Sequence, residues 1–130
     1  VDNLNGQPGI YSARWAYKNN YHNAFKKIKN NLQEKDLDMK EQYAKFVCVL
    51  ALIDKKKNEY IFKGSLEGKL TFPPRGKNGF GYDPIFIPLN TKKTLAQIST
   101  SLKNSISHRK QALEKLLSHS IFKNYFTQNS

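Results

Sequence analysis

Apolar residues recur at helical spacing in one long stretch. From Asn20 to Gln33, Tyr21, Ala24, Phe25, Ile28 and Leu32 fall at i, i+3, i+4, i+7 and i+11, the period of one face of an α-helix. Lys26, Lys27, Lys29 and Asn30 take the opposite face. The spacing predicts a core-facing helix, with Asn19 or Asn20 available to cap its start. Lys45 to Ile53 alternates differently. Phe46, Cys48, Leu50 and Leu52 lie on one side, and Val47, Val49, Ala51 and Ile53 on the other. Both sides are apolar, which predicts a central strand covered on both faces. Asp54 to Asn58 is a polar turn of hairpin length, and Tyr60 to Lys63 reads as the antiparallel return. Leu66 to Phe72 continues the sheet past a bulge or bend at Gly64 and Gly68.

Shorter elements follow from weaker patterns. Val1 to Leu4 resembles the end of a strand, and Asn5 to Gly9 is a turn cluster. Ile85 to Ile87 predicts a short strand, and Thr94 to Ile98 a single helical turn. The last helix is expected over Ser107 to Leu117, capped by Ser105 or Ser107, with Ala112, Leu113, Leu116 and Leu117 as its apolar stripe. Glu34 to Gln42 is a charged linker, and His119 to Ser130 carries no firm pattern. Together these elements predict one α/β domain over residues 1–130, a mixed β-sheet flanked by helices.

Composition narrows the class. Apolar residues make up 38%, aromatic 12% and charged 25% of 130 residues, ordinary for a globular protein. No apolar run reaches membrane-spanning length. The single Cys48 excludes an internal disulfide and fits a reducing, cytoplasmic compartment. One Cys and three scattered His offer no zinc-ligand spacing. The net charge is +12 and the pI about 9.8. That suits attraction to a polyanion, either nucleic acid or a triphosphate. The lysines are spread over every segment, however, so a solvated basic surface explains most of them.

The candidate chemistry begins in the stretch Gly76-Lys-Asn-Gly-Phe-Gly-Tyr-Asp-Pro-Ile-Phe-Ile-Pro88. Gly79 and Gly81 flank Phe80 and relieve crowding around its ring, which can stack on a flat ligand. Tyr82 and Asp83 follow, and an ionised Asp only accepts hydrogen bonds. A tight turn around a packed Phe is the plain alternative. The second cluster is Lys103-Asn-Ser-Ile-Ser-His108-Arg109. His108 and Arg109 at a predicted helix start add donors to a region of positive potential. Arg14, in Ile10-Tyr-Ser-Ala-Arg14-Trp15, suits an internal stack or pair better than a phosphate.

With Gly6-Gln-Pro-Gly-Ile-Tyr-Ser-Ala-Arg14 near the start, these motifs resemble the inosine triphosphate pyrophosphatase family, in order and from about Val1 to about Leu117. The resemblance implies hydrolysis of non-standard purine triphosphates (ITP, dITP, XTP) to monophosphate and pyrophosphate. It implies Mg²⁺ as cofactor and a homodimer. It assigns Phe80 to stacking on the base, and Gly81, Tyr82 and Asp83 to lining the base and sugar. It assigns Lys103 to substrate contact, and His108 and Arg109 to reading the 6-oxo group. Donors facing position 6 accept a carbonyl and oppose adenine's amino group. The family's Thr/Ser-x-Asn-x-x-Lys phosphate loop, metal-binding Glu and Asp-Ser-Gly segment with its general base all precede the residue matching Val1. The chain is therefore expected to hold the C-terminal two-thirds of that fold, with no catalytic or metal residue of its own. Tyr17, Lys45 and Gln97 stand where the family usually has Gly, Arg and Glu. Two rival readings are an inactive remnant that keeps only the purine pocket, and a basic nucleic-acid-binding module.

Overall fold

A computed structural model describes residues 1–35 and 42–123. Residues 36–41 of the predicted linker, and the tail from 124 onward, lie outside the described residues. The fold is α/β, as expected. Contacts gather the chain into two compact units, Val1–Lys45 with Glu67–Lys103, and Phe46–Leu66 with Asn104–Ser130.

The first unit opens on helical turns. Residues Asp2–Leu4 form a 3-10 turn rather than the predicted strand end. The reason is local: Asn5 adopts the left-handed conformation at φ 55° and reverses the chain at once, so no extended run can form. Leu4 is buried by that reversal. A second 3-10 turn, Gly9–Tyr11, runs into the short helix α1 (Ser12–Trp15).

Helix α2 (Tyr21–Glu34) follows the predicted stripe, with Ala24, Phe25, Ile28 and Leu32 buried. Burying a side chain such as Ile28 or Leu32 contributes about 1.5–3 kcal/mol. Asn20 occupies the cap position but makes no side-chain capping bond. The helix therefore rests on its apolar face rather than its cap.

The sheet has three strands in the order β1-β2-β3: β1 (Tyr43–Ile53), β2 (Glu59–Leu70) and β3 (Phe86–Pro88). β1 and β2 form the expected hairpin. Asp54 closes its turn by accepting the backbone N–H groups of Lys56 and Asn58, each at 2.9 Å. β2 is one unbroken strand of 12 residues, longer than the predicted Tyr60 to Lys63 return. β3 pairs antiparallel with β2, Gly68 opposite Pro88 and Leu70 opposite Phe86.

The prediction of a central β1 fails among the described residues. β1 is an outer strand of this sheet, and Val47, Val49, Ala51 and Ile53 are all exposed. Apolar alternation on both faces gives the strand's character, whereas its coverage depends on which elements lie beside it. Helix content also differs from expectation after β3. Thr94 to Ile98 is a turn, closed by the Gln97 N–H on the Thr94 carbonyl at 2.9 Å and by Gln97 Oε1 accepting the Thr94 N–H at 2.9 Å. Helix begins later, as α3 (Thr100–Ile106), where the Ser99 hydroxyl oxygen accepts the Leu102 N–H at 3.1 Å.

In the second unit, α4 (His108–Ser118) starts where predicted, and Ser107 Oγ caps it by accepting the Lys110 N–H at 3.0 Å. Its predicted stripe does not hold: Ala112 is buried, but Leu113 and Leu117 are exposed. The helix lies against Gly64 of β2, with the Lys115 ammonium donating to the Lys63 carbonyl at 2.6 Å and Gln111 Oε1 accepting the Ser65 N–H at 3.2 Å. That line of approach buries Ala112, half-buries His108 and Gln111, and turns Leu113 outward. No helix among the described residues is long and apolar enough to cross a membrane.

Candidate functional site

The first unit holds the glycine loop. Its base is stitched to the 94–98 turn: the Asn78 N–H donates to the Ala96 carbonyl at 2.9 Å, and the Thr94 hydroxyl to the Arg75 carbonyl at 2.6 Å. Gly79 and Gly81 take φ of 73° and 63°, conformations that a side chain would strain. Between them Phe80 stands 65% exposed. An aromatic ring held out at the crown of an anchored loop is geometrically suited to stacking.

Asp83 is buried directly beneath the crown. Its Oδ2 accepts the Phe80 backbone N–H at 3.0 Å and the Lys103 ammonium at 2.5 Å. The same ammonium lies 4.1 Å from the centre of the Phe80 ring, within cation–π range. Phe80, Asp83 and Lys103, the last 20 residues beyond Asp83 in sequence, are thus in mutual contact in this unit.

Tyr82 points the other way. Its hydroxyl donates to the Ser12 carbonyl at 2.6 Å, and its ring meets Tyr21 edge-on at 5.3 Å and Phe25 at 6.0 Å. Burial pushes its phenol up to about 12, with the neighbouring Tyr21 adding to the shift. Tyr82 ties the loop to α1 and α2. Arg14 stacks over Tyr11, its guanidinium 5.1 Å from the ring centre, but both residues are exposed, so the stack lies at the surface rather than inside.

The second unit holds His108 and Arg109, in the first turn of α4. The His108 ring lies nearly parallel to Phe46, 5.3 Å away at 15°. Arg109 is exposed beside it in sequence. Gly64 lets the helix start approach the strand: a Cβ there would collide with the His108 carbonyl oxygen and come within 2.7 Å of the Ala112 nitrogen. The seven predicted site residues therefore divide as Phe80, Gly81, Tyr82, Asp83 and Lys103 in one unit and His108 and Arg109 in the other.

Residues 1–119 match the model of the Ham1 family. The chain belongs to the Ham1 family. It is 45% identical over 117 residues to the dITP/XTP pyrophosphatase of Thermoanaerobacter pseudethanolicus, covering 89% of this chain and 58% of that protein. The Ham1 protein of Staphylococcus aureus superposes with a TM-score of 0.79 at 40% identity, covering 89% of this chain and 59% of that one. The HAM1 protein of Coxiella burnetii gives 0.77 at 40% identity, over 87% of this chain and 58% of that one. The chain thus spans less than two-thirds of the length of the Ham1 relatives it matches.

Within this Ham1 chain, two contacts escape sequence reading. Phe46 under His108 joins residues far apart in the chain, and Ser12 under Tyr82 uses a backbone carbonyl that has no residue signature. The Tyr82 contact is testable. In Tyr82→Phe, the Ser12 carbonyl loses its donor, and stability should fall by about 1 kcal/mol. The pH dependence has a definite sign. A phenol raised in the folded state contributes stability that is complete below the ordinary tyrosine value near 10 and lost as pH climbs through about 12. Denaturation curves of the two proteins should therefore converge between pH 10 and 12. A constant gap across that window would contradict the burial of the phenol.

Proposed function

We propose that the protein hydrolyses non-standard purine nucleoside triphosphates, ITP, dITP and XTP, to the monophosphate and pyrophosphate. The Ham1 relatives named dITP/XTP pyrophosphatase support the reaction class. The observation that carries the reading in this chain is the exposed Phe80 ring, set at the crown of a loop whose base is anchored on both sides. On this reading Phe80 stacks on the purine, Gly81 lets the backbone come close, and Lys103 supplies positive charge. His108 and Arg109 donate to the 6-oxo group. The protein works on the nucleotide pool of the cytoplasm as a homodimer.

Magnesium belongs to this reaction because it neutralises the triphosphate that water attacks. Among the described residues no group of three or more His, Cys, Asp or Glu gathers to hold a metal ion. The described residues therefore do not fit a magnesium site of their own.

The base site is tested by titrating inosine 5′-monophosphate into the chain by calorimetry. Stacking a base on an aromatic ring is worth about 1–3 kcal/mol. Phe80→Ala should therefore weaken binding about 10- to 100-fold, and unchanged affinity would remove Phe80 from the site. The reaction is tested by incubating the chain with ITP and magnesium and measuring pyrophosphate. Release identifies a hydrolase, whereas purine binding without release identifies a remnant that keeps only the base pocket.

A further inference from the structure

We infer that Asp83 is a positioning residue, which clasps Phe80 and Lys103 into one preformed platform instead of presenting its carboxylate to the nucleotide. The inference rests on the base-site reading above and gives Asp83 a different task within it.

Lone-pair arithmetic supplies the first support. A carboxylate oxygen offers two acceptor sites. Asp83 Oδ2 receives the Phe80 N–H at 3.0 Å and the Lys103 ammonium at 2.5 Å, so both are taken. The side chain is only 6% exposed, which leaves little of the other oxygen for a ligand.

The second support is the closure of the loop on itself. The Asp83 N–H donates to the Phe80 carbonyl at 3.3 Å while the Asp83 side chain accepts from the Phe80 N–H. The four residues 80–83 are thus tied at both ends. A Cβ on Gly79 would strike the same carboxylate and come within 3.2 Å of the Lys103 ammonium. The glycine keeps the space in which the clasp sits.

The third support is Lys103. Its ammonium is paired to Asp83 and lies 4.1 Å from the Phe80 ring centre. One buried acid therefore fixes the backbone that carries the ring and the cation that covers it. A platform set before binding spares the ligand the entropy of ordering the loop, which is the functional gain a positioning residue brings.

The experiment compares wild type, Asp83→Asn and Asp83→Ala as the full chain. Three quantities are read: the amide exchange rate of Phe80 by NMR without ligand, the affinity for inosine 5′-monophosphate, and the melting temperature. Asp83→Ala should raise Phe80 exchange about tenfold and weaken the nucleotide about tenfold, with the Asn78 and Leu95 amides unchanged. Asp83→Asn keeps an acceptor for Phe80 but loses the ionic hold on Lys103, and should fall between. Its near-identical shape keeps the comparison interpretable if the Ala variant melts early. Weaker binding with Phe80 exchange unchanged in both variants would mean direct ligand contact and would overturn the inference alone. Faster exchange with affinity unchanged would overturn it too. If wild type binds no inosine monophosphate, the base-site reading fails and takes this one with it, while the exchange rates still report whether the clasp exists.

Discussion

Gly64→Ala should destabilise the second unit by about 2–4 kcal/mol and displace the start of α4 from β2. The added methyl would clash with the His108 carbonyl oxygen and approach the Ala112 nitrogen to 2.7 Å and Gln111 Cβ to 2.9 Å. Two of those three neighbours are backbone atoms, which cannot rotate aside as a side-chain tip can. Overpacking a well-filled site typically costs about 1–3 kcal/mol, and more where relaxation is blocked. Helix and strand must therefore separate, and the separation breaks the bonds that Gln111 and Lys115 make to β2. At roughly 3–4 °C per kcal/mol for a chain of this size, the melting temperature should drop by about 10 °C. Gly81→Ala is the informative contrast. Its new methyl would meet only the Tyr21 ring, at an ordinary 3.7 Å, so its cost is the left-handed backbone alone, about 1–2 kcal/mol. If Gly64→Ala melts within about 2 °C of wild type, the close seating of α4 on β2 is wrong.

The same glycine illustrates where reading the sequence stops. Gly64 stands out in the sequence only as a bend in a strand, because nothing in its neighbours says that a helix from residue 108 will lie over it. Signals that depend on adjacent residues were legible. The α2 stripe fixes its own period, the Asp54–Asn58 turn closes on its own side chains, and Ser107 caps the helix that it begins. The Gly-Phe-Gly pattern likewise marks an exposed ring on a turn, because the positive φ values and the lack of neighbouring side chains are local consequences of glycine. α3 went unseen because Thr100, Ser101, Asn104 and Ser105 are indifferent helix formers, and its signal lies in the Ser99 cap. Asp83 was legible as an acid but not as a spent one. Its charge is in the sequence, whereas the occupation of its oxygen by Phe80 and Lys103 comes from folding. The stack of His108 on Phe46 belongs to the same kind, since helix and strand must meet before either ring has a neighbour.

That stack shapes the expected result for base selectivity. On the base-site reading, His108→Phe should cut the preference for inosine over adenosine monophosphate by about a hundredfold. Phe keeps a planar ring against Phe46, where His108 now lies at 5.3 Å and 15°, but removes both ring nitrogens. The 6-oxo group then loses a donor, and adenine's 6-amino group no longer faces one. Selectivity falls from both sides: inosine monophosphate binds more weakly and adenosine monophosphate no worse. Sites that pair a buried polar group discriminate by about 10⁴–10⁵. Here His108 is half-buried and Arg109 exposed, so water can replace part of a lost bond, and about 10² is the fitting scale. Arg109→Ala should lower the same preference by a smaller factor. The double variant should lose less than the product of the two, because both groups serve one oxygen and are coupled. Titrating both monophosphates into each variant measures all three ratios. A preference unchanged within threefold in His108→Phe would detach His108 from the base.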